Sequence, residues 1–253
     1  MKLFNTSKRI CVYTFVVTFT FANAALSQTN NTTSESVMKE ATYIPFKANQ
    51  GQEDSLAQFL RDGAKLVEKT EPDTLYWYAL RKNHGSYGIF DFFSSSDGRD
   101  AHFAGQVAAA LNENASTLVL DGWDAGIVAN IVNPSVLSFK APELNDTRAT
   151  TATYIVLNAQ VGKEQALEDL LTGAAQIIDQ TEPETLLWTA LKLNETTFAI
   201  FDTFVDESGR EAHFAGKVAG ALHANADVLI VGGWEGGVLS NIHNFDVIAQ
   251  AAR

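Results

Sequence analysis

The chain contains one sequence unit written twice. ATYI returns as ATYI, TEPDTLYW as TEPETLLW and GRDAHFAG as GREAHFAG, each time 111 positions later. Roughly two in five positions are identical between the copies, far above chance, and a period of about a hundred residues equals a small domain rather than a solenoid repeat. We therefore predict two similar halves, residues 41–140 and 152–253, joined by a linker at 141–151 and related by a pseudo-twofold axis.

The first residues have the pattern of an export signal. Lys2, Lys8 and Arg9 precede an apolar run that is too short to anchor the chain in a bilayer. Ala22-Asn23-Ala24 then supplies the small-x-small pattern that signal peptidase cuts. We predict a signal peptide at residues 1–24, a disordered polar leader at 25–40, and a periplasmic or secreted protein.

Composition excludes several classes of function. The only cysteine, Cys11, lies inside the predicted signal, so thiol chemistry and cysteine metal sites are not expected in the mature chain. The five histidines lack HxH or HExxH spacing, and no metal site is predicted. A net charge of −12 makes nucleic acid and anionic membranes poor partners.

Each half has the pattern of a β-α-β-β-α-β unit. Apolar spacing and turn residues predict, in the first copy, a strand at Thr42–Ala48, a helix at Gln52–Thr70, a hairpin at Thr74–Arg81 and Tyr87–Phe93, a helix at Gly98–Asn114 that Gly105 is expected to break, and a strand at Ile131–Phe139. This order is the ferredoxin-like unit, with helices on one face of the sheet. The uncovered faces of the two copies predict an α+β fold in which the repeats pack sheet to sheet as an intrachain dimeric α+β barrel.

The hairpin and second helix carry a family resemblance. The Glu-Pro-x-Thr-Leu turn, the Phe-Asp-x-Phe strand and the Arg-x-Ala-His helix start occur in both copies. Together they resemble the antibiotic biosynthesis monooxygenase-type domain, a dimeric α+β barrel group that includes quinol monooxygenases. The resemblance implies a pseudo-dimer within one chain, with further self-association left open. It specifies the fold well and the reaction poorly.

The resemblance implies oxidation of a small aromatic or quinol-like molecule without a cofactor. Such chemistry needs an aromatic cleft, a proton acceptor and donors that stabilise a phenolate. Catalytic candidates by position are His102, His213, Arg99 and Arg210, and candidates for substrate binding are Trp77, Tyr76, Tyr78, Trp188, Trp123 and Trp234. Because Leu187 and Thr189 replace the two tyrosines in the second copy, the clefts are not expected to be chemically equal.

Each candidate also has a structural interpretation. On a straight helical wheel His102 lies opposite the apolar stripe, so a hydrogen-bonding role at the helix start competes with a role as base. Arg99 and Arg210 follow glycine at a helix start, where a cation is unfavourable, and pairing with Asp91 and Asp202 would explain them.

The tryptophans have structural alternatives too. Trp77 and Trp188 could be core residues, and Trp123 and Trp234 could plug the barrel instead of capping a cleft. His223 lies where haem-degrading relatives place an iron ligand, which is a weak signal for haem. The leading hypothesis is an exported cofactor-independent monooxygenase, and the alternative is a non-catalytic protein that binds a small hydrophobic ligand.

Overall fold

The computed structural model describes residues 38–142 and 146–252. The first repeat consists of β1 (Glu40–Lys47), α1 (Glu53–Thr70), β2 (Thr74–Asn83), β3 (Ser86–Phe93), α2 (Ser96–Phe103), α3 (Gln106–Leu118) and β4 (Ser135–Lys140). The second consists of β5 (Thr151–Asn158), α4 (Glu164–Thr172), α5 (Ala174–Thr181), β6 (Thr185–Lys192), β7 (Thr197–Phe204), α6 (Glu207–Phe214), α7 (Lys217–Leu229) and β8 (Ile242–Ala252). The predicted signal peptide lies outside the described residues.

The eight strands form one closed barrel in the order β1-β3-β2-β8-β5-β7-β6-β4. The last strand of each repeat pairs with the other repeat: β4 lies beside β6, and β8 lies between β2 and β5. The predicted intrachain α+β barrel is therefore confirmed. The repeats join through this strand exchange as well as through their apolar faces, and a short pairing of β1 with β4 closes the barrel.

Alternation along β2 separates two apolar cores. Tyr76 and Tyr78 point into the barrel and pack with residues of both repeats. Trp77 and Ala79 point outward and pack under α1 and α3. Successive side chains of a strand face opposite sides of the sheet, so adjacent aromatic residues of β2 serve different cores. A third core, under α4, α5 and α7, is the second repeat's counterpart of the outer one.

The predicted break in the second helix lies at Ala104-Gly105, between α2 and α3. The Ser95 hydroxyl caps α2 by accepting a hydrogen bond from the Gly98 amide. A new helix then starts at Gln106 with a different phase. Because of this break His102 is buried, contrary to the straight-wheel expectation.

Within the described ranges, no helix combines the length and apolar character needed to cross a bilayer. The same residues contain no grouping of three or more histidine, cysteine or acidic side chains arranged to hold a metal ion.

Candidate active site

A buried acid–histidine–acid network lies beside the junction of α2 and α3. His102 Nδ1 is 2.5 Å from Oε2 of Glu71, which follows α1. His102 Nε2 is 2.9 Å from Oδ2 of Asp91, on β3. The second contact has ion-pair distance without the alignment of a hydrogen bond, since neither Asp91 oxygen has a hydrogen-bond donor. Both ring nitrogens are therefore occupied by carboxylates.

The network holds His102 in its charged form. Burial favours the neutral imidazole, but the attraction of Asp91 and the contact with Glu71 outweigh burial and raise the pKa of His102 to about 10. Burial raises the pKa of Asp91, and the charge of His102 partly opposes that rise. At neutral pH His102 thus has no free lone pair. The predicted role of His102 as a base does not fit this geometry.

The second repeat contains the same network. His213 Nδ1 lies 2.6 Å from Oε2 of Glu182, and Nε2 lies 3.3 Å from Oδ2 of Asp202. Burial opposes the charged form here too, yet the two acids raise the pKa of His213 to about 9. His213 is no more available as a base than His102.

Glycine at position 105 gives Glu71 room to reach this junction. Oε1 of Glu71 accepts a hydrogen bond from the Val107 amide, in the first turn of α3. A Cβ on Gly105 would lie 2.7 Å from that same oxygen. The Glu-Pro motif therefore does more than end α1: its carboxylate caps the next helix and holds the histidine.

The predicted pairing of the arginines with Asp91 and Asp202 was wrong. Arg99 donates to Glu40 on β1 at 2.9 Å. Thr151 occupies the equivalent position in the second repeat, and Arg210 instead pairs with Glu207 in its own helix. Arg99 and Arg210 also do not line the cavities beneath α3 and α7, so a role in phenolate binding there does not fit.

An apolar cavity of about 200 Å³ lies between the outer face of the first-repeat sheet and α3. Its lining combines the sequence-predicted Trp77, Trp123 and His102 with aliphatic and phenyl side chains, namely Ile44, Ile89, Phe103, Val107, Ala108, Leu111, Ile127 and Ile131. Nε1 of Trp77 is a buried donor with no hydrogen-bond partner. Nε1 of Trp188 in the second repeat is likewise buried without a partner, and an unpaired buried donor is costly.

The equivalent cavity of the second repeat has only about 20 Å³. It contains Trp188, Trp234 and His213, and the two linings match in residue type except that Val238 replaces the larger Ile127. Side-chain size therefore cannot explain the smaller volume, and the placement of the side chains must differ.

One contact distinguishes the two tryptophan loops. The His223 ring packs on Trp234 with centroids 4.5 Å apart. Asn112 stands at the equivalent position of the first repeat. In the part of the chain that the structure describes, Trp123 has no aromatic ring packed on it in this way.

Tyr76 and Tyr78 do not belong to the cavity that contains Trp77. Both lie in the barrel interior, on the other face of β2. Burial raises the pKa of each phenol, which keeps both neutral. The expected inequality of the two sites is present, but it comes from cavity volume and not from these hydroxyl groups.

The second-repeat site does not fit haem. His223 is exposed on α7 and contacts Trp234, and the adjoining cavity of about 20 Å³ cannot hold a macrocycle, since even benzene occupies a cavity of about 150 Å³. The first-repeat cavity has no histidine at position 112.

Sequence reasoning missed Glu71 and Glu182 as members of the site. A usable signal was present: few ionisable residues are identical in both copies, and Glu71, Asp91 and His102 are among them. Only the tertiary structure shows that these three meet.

Comparison with known proteins defines the fold. The chain matches no family model and no curated protein. A crystal structure of a candidate monooxygenase from Fusobacterium nucleatum subsp. nucleatum is 13% identical with a TM-score of 0.69, over 86% of this chain and 95% of that one. An anthrone oxidase-like protein is 11% identical with a TM-score of 0.52, over 84% and 92%.

A protein of unknown function from Nitrosomonas europaea is 36% identical with a TM-score of 0.38, over 42% of this chain and 97% of that one. The whole-chain matches, at their low identities, establish architecture and leave the reaction open. With the closed eight-stranded barrel, they show that this chain has the dimeric α+β barrel fold, with both halves supplied by one polypeptide.

Proposed function

We propose that the chain binds a small aromatic compound of the quinol type in the apolar cavity of the first repeat. The observation that carries this proposal is the difference between about 200 Å³ at Trp77 and Trp123 and about 20 Å³ at their counterparts. An apolar cavity of about 150 Å³ can bind benzene. The first-repeat cavity therefore suits one substituted ring better than a fused polycyclic compound.

The unpaired Trp77 Nε1–H would orient the ligand. A quinol oxygen or quinone carbonyl can accept its hydrogen bond while the ring contacts aliphatic side chains and Trp123. A purely aliphatic ligand would fill the same volume but leave the donor unsatisfied. This difference favours a phenolic or quinonoid ligand.

The reaction that we propose is monooxygenation without a cofactor. A quinol and O₂ would give a hydroxyquinone and water: one oxygen atom enters a ring C–H bond, the other is reduced to water, and the quinol supplies the electrons. The name of the Fusobacterium protein supports this reaction class. Because His102 has no free nitrogen, the rate should follow ionisation of the quinol itself.

The second candidate function is non-catalytic binding of the same ligand class. It is favoured by the cavity lining, in which the only titratable side chain, His102, already contacts two acids. Binding without oxygen consumption would select this alternative.

The test uses hydroquinone and methylhydroquinone, with binding followed by tryptophan fluorescence and reaction followed by oxygen uptake. Ala108→Leu would fill the first-repeat cavity, whereas Ala221→Leu makes the same change at an exposed position of α7. We expect binding to wild type and to Ala221→Leu, and loss of binding in Ala108→Leu. Equal binding by all three proteins would overturn the site, and oxygen uptake no faster than autoxidation would overturn the reaction.

We also propose that the protein is exported after removal of residues 1–24. The support is the basic, apolar and small-residue order of the first two dozen positions. N-terminal sequencing of the exported protein should begin at Ala25. A chain that retains Met1 and stays in the cytoplasm would contradict this proposal.

A further inference from the structure

A larger cavity, of about 540 Å³, lies where the first repeat's hairpin meets the second repeat. It is lined by parts of β1, the β2–β3 hairpin and the loop at 120–130, together with β5 and β8. Its aromatic floor consists of Tyr43, Tyr154 and Phe245, which also border the barrel core. It shares no lining residue with the cavity at Trp77 and Trp123.

Cationic and donor groups line this cavity. Lys47, Lys82 and His243 all line it, and Asp121 is the one acid in the lining. Within the described ranges, neither lysine forms an ion pair with a carboxylate. The excess of basic side chains is notable in a chain whose net charge is −12.

Lys82 and His243 are already arranged to act together. Lys82 Nζ lies 2.9 Å from Nδ1 of His243. A lysine ammonium can only donate, so Nδ1 accepts and the imidazole proton resides on Nε2. The pair therefore presents further N–H donors, from the ammonium and from Nε2, that an anion could use.

The three basic side chains have no basic counterparts at the positions that the pseudo-twofold axis makes equivalent. At the matching positions 111 residues away, Asn158 replaces Lys47, Leu193 replaces Lys82 and Val132 stands in place of His243. The framework of strands is the same in both halves, so the barrel does not require these groups.

We propose that this cavity is a second binding site, for a small aromatic carboxylate held by Lys47, Lys82 and His243 with its ring on the aromatic floor. Two lysines against one aspartate leave a single positive charge, which matches a monoanion better than a polyanion. Burial raises the pKa of Tyr43 to about 12, so its hydroxyl is neutral and can donate or accept. Walls of mixed aromatic and polar character are typical of sites for small organic ligands.

The test is calorimetric titration of the full chain with 2-naphthoate, and with 2-naphthalenemethanol as its uncharged counterpart. We expect the carboxylate to bind and the alcohol to bind at least about tenfold more weakly, since a charge-assisted contact of about 1.4 kcal/mol would be missing. Lys82→Gln and Lys47→Gln should each weaken 2-naphthoate about tenfold. Lys69→Gln, which removes an exposed lysine at the end of α1, should leave the affinity unchanged.

The Ala108→Leu variant separates this site from the proposed quinol cavity. Filling that cavity should leave 2-naphthoate binding intact, because the two linings do not overlap. The proposal is overturned if 2-naphthoate does not bind, if both lysine variants bind as well as wild type, or if Ala108→Leu alone abolishes binding. Each result is independent of whether hydroquinone binds or reacts.

Discussion

Phe90 of β3 and Phe201 of β7 stack inside the barrel, with ring centroids 4.0 Å apart and planes within 17° of parallel. They occupy equivalent positions in the two repeats, 111 residues apart. Both side chains are fully buried in a core built from both copies. The two repeats therefore share one interior, and each half would expose apolar residues without the other.

A double-mutant cycle can measure this shared interior. Phe90→Leu and Phe201→Leu should show a coupling free energy of about 0.5–1.5 kcal/mol in urea unfolding, because each variant removes the same ring–ring contact. Phe46→Leu changes a phenylalanine in the outer core and provides the control cycle with Phe90→Leu. Coupling near zero for the first pair would argue against a joint core.

Gly105→Ala should destabilise the protein by about 1–3 kcal/mol, because the new methyl group displaces the Glu71 carboxylate from the Val107 amide and His102. Gly220→Ala is the matched control on α7, where an added Cβ meets nothing within 4 Å. That change should stabilise by roughly 0.5–1 kcal/mol. Equal effects of the two changes on thermal unfolding would refute the role given to Glu71.

Stability should fall as the pH rises above neutrality. The native pKa values of His102 and His213, about 10 and about 9, exceed the unfolded value of about 6.5. The stabilisation is complete below the unfolded pKa and is lost as the pH rises toward the folded values. Between the two, each histidine contributes a decrease of up to about 1.4 kcal/mol per pH unit.

Urea unfolding at pH 6.5, 7.5, 8.5 and 9.5 measures this slope. His102→Gln should halve the dependence of the free energy of unfolding on pH, because only His213 then still loses a proton on unfolding. This holds whatever the variant's absolute stability. A free energy of unfolding that is constant across this range would show that the histidines are not held charged.

Placing a histidine at position 112, the equivalent of His223, should alter ligand binding. In Asn112→His, the new ring can pack on Trp123 as His223 packs on Trp234, with the two rings tilted, and this should weaken hydroquinone binding roughly 2- to 12-fold. Asn112→Gln keeps a polar side chain without an aromatic ring and serves as the control. Weakening of the same size in both variants would show that the ring contact is not the cause.

The barrel could be predicted from sequence because its determinants are local or repeated. The duplication predicted the pseudo-twofold symmetry, and the apolar spacing predicted the helices and strands. Gly105 predicted the break between α2 and α3. The exchange of β4 and β8 could not be predicted in this way, because strand pairing across the repeats depends on packing between distant segments.

The candidate site was only partly predictable. The predicted residues Trp77, Trp123 and His102 do line one cavity. Tyr76 and Tyr78 do not, and strict alternation of side chains along β2 was enough to predict that they face the other side of the sheet. The partners of His102 and the unequal volumes of two nearly identical linings depend on three-dimensional placement. The resemblance included Glu71 only as part of the Glu-Pro turn and did not link it to His102.

The most direct test of the central claim is the crystal structure of the chain soaked with bromohydroquinone, with bromine located by anomalous scattering. We predict one bromine site per chain, in the first-repeat cavity in contact with Trp77 and Trp123, and none beside Trp188 and Trp234. Bromine in both repeats, only outside the first-repeat cavity, or nowhere at saturating concentration would contradict the claim.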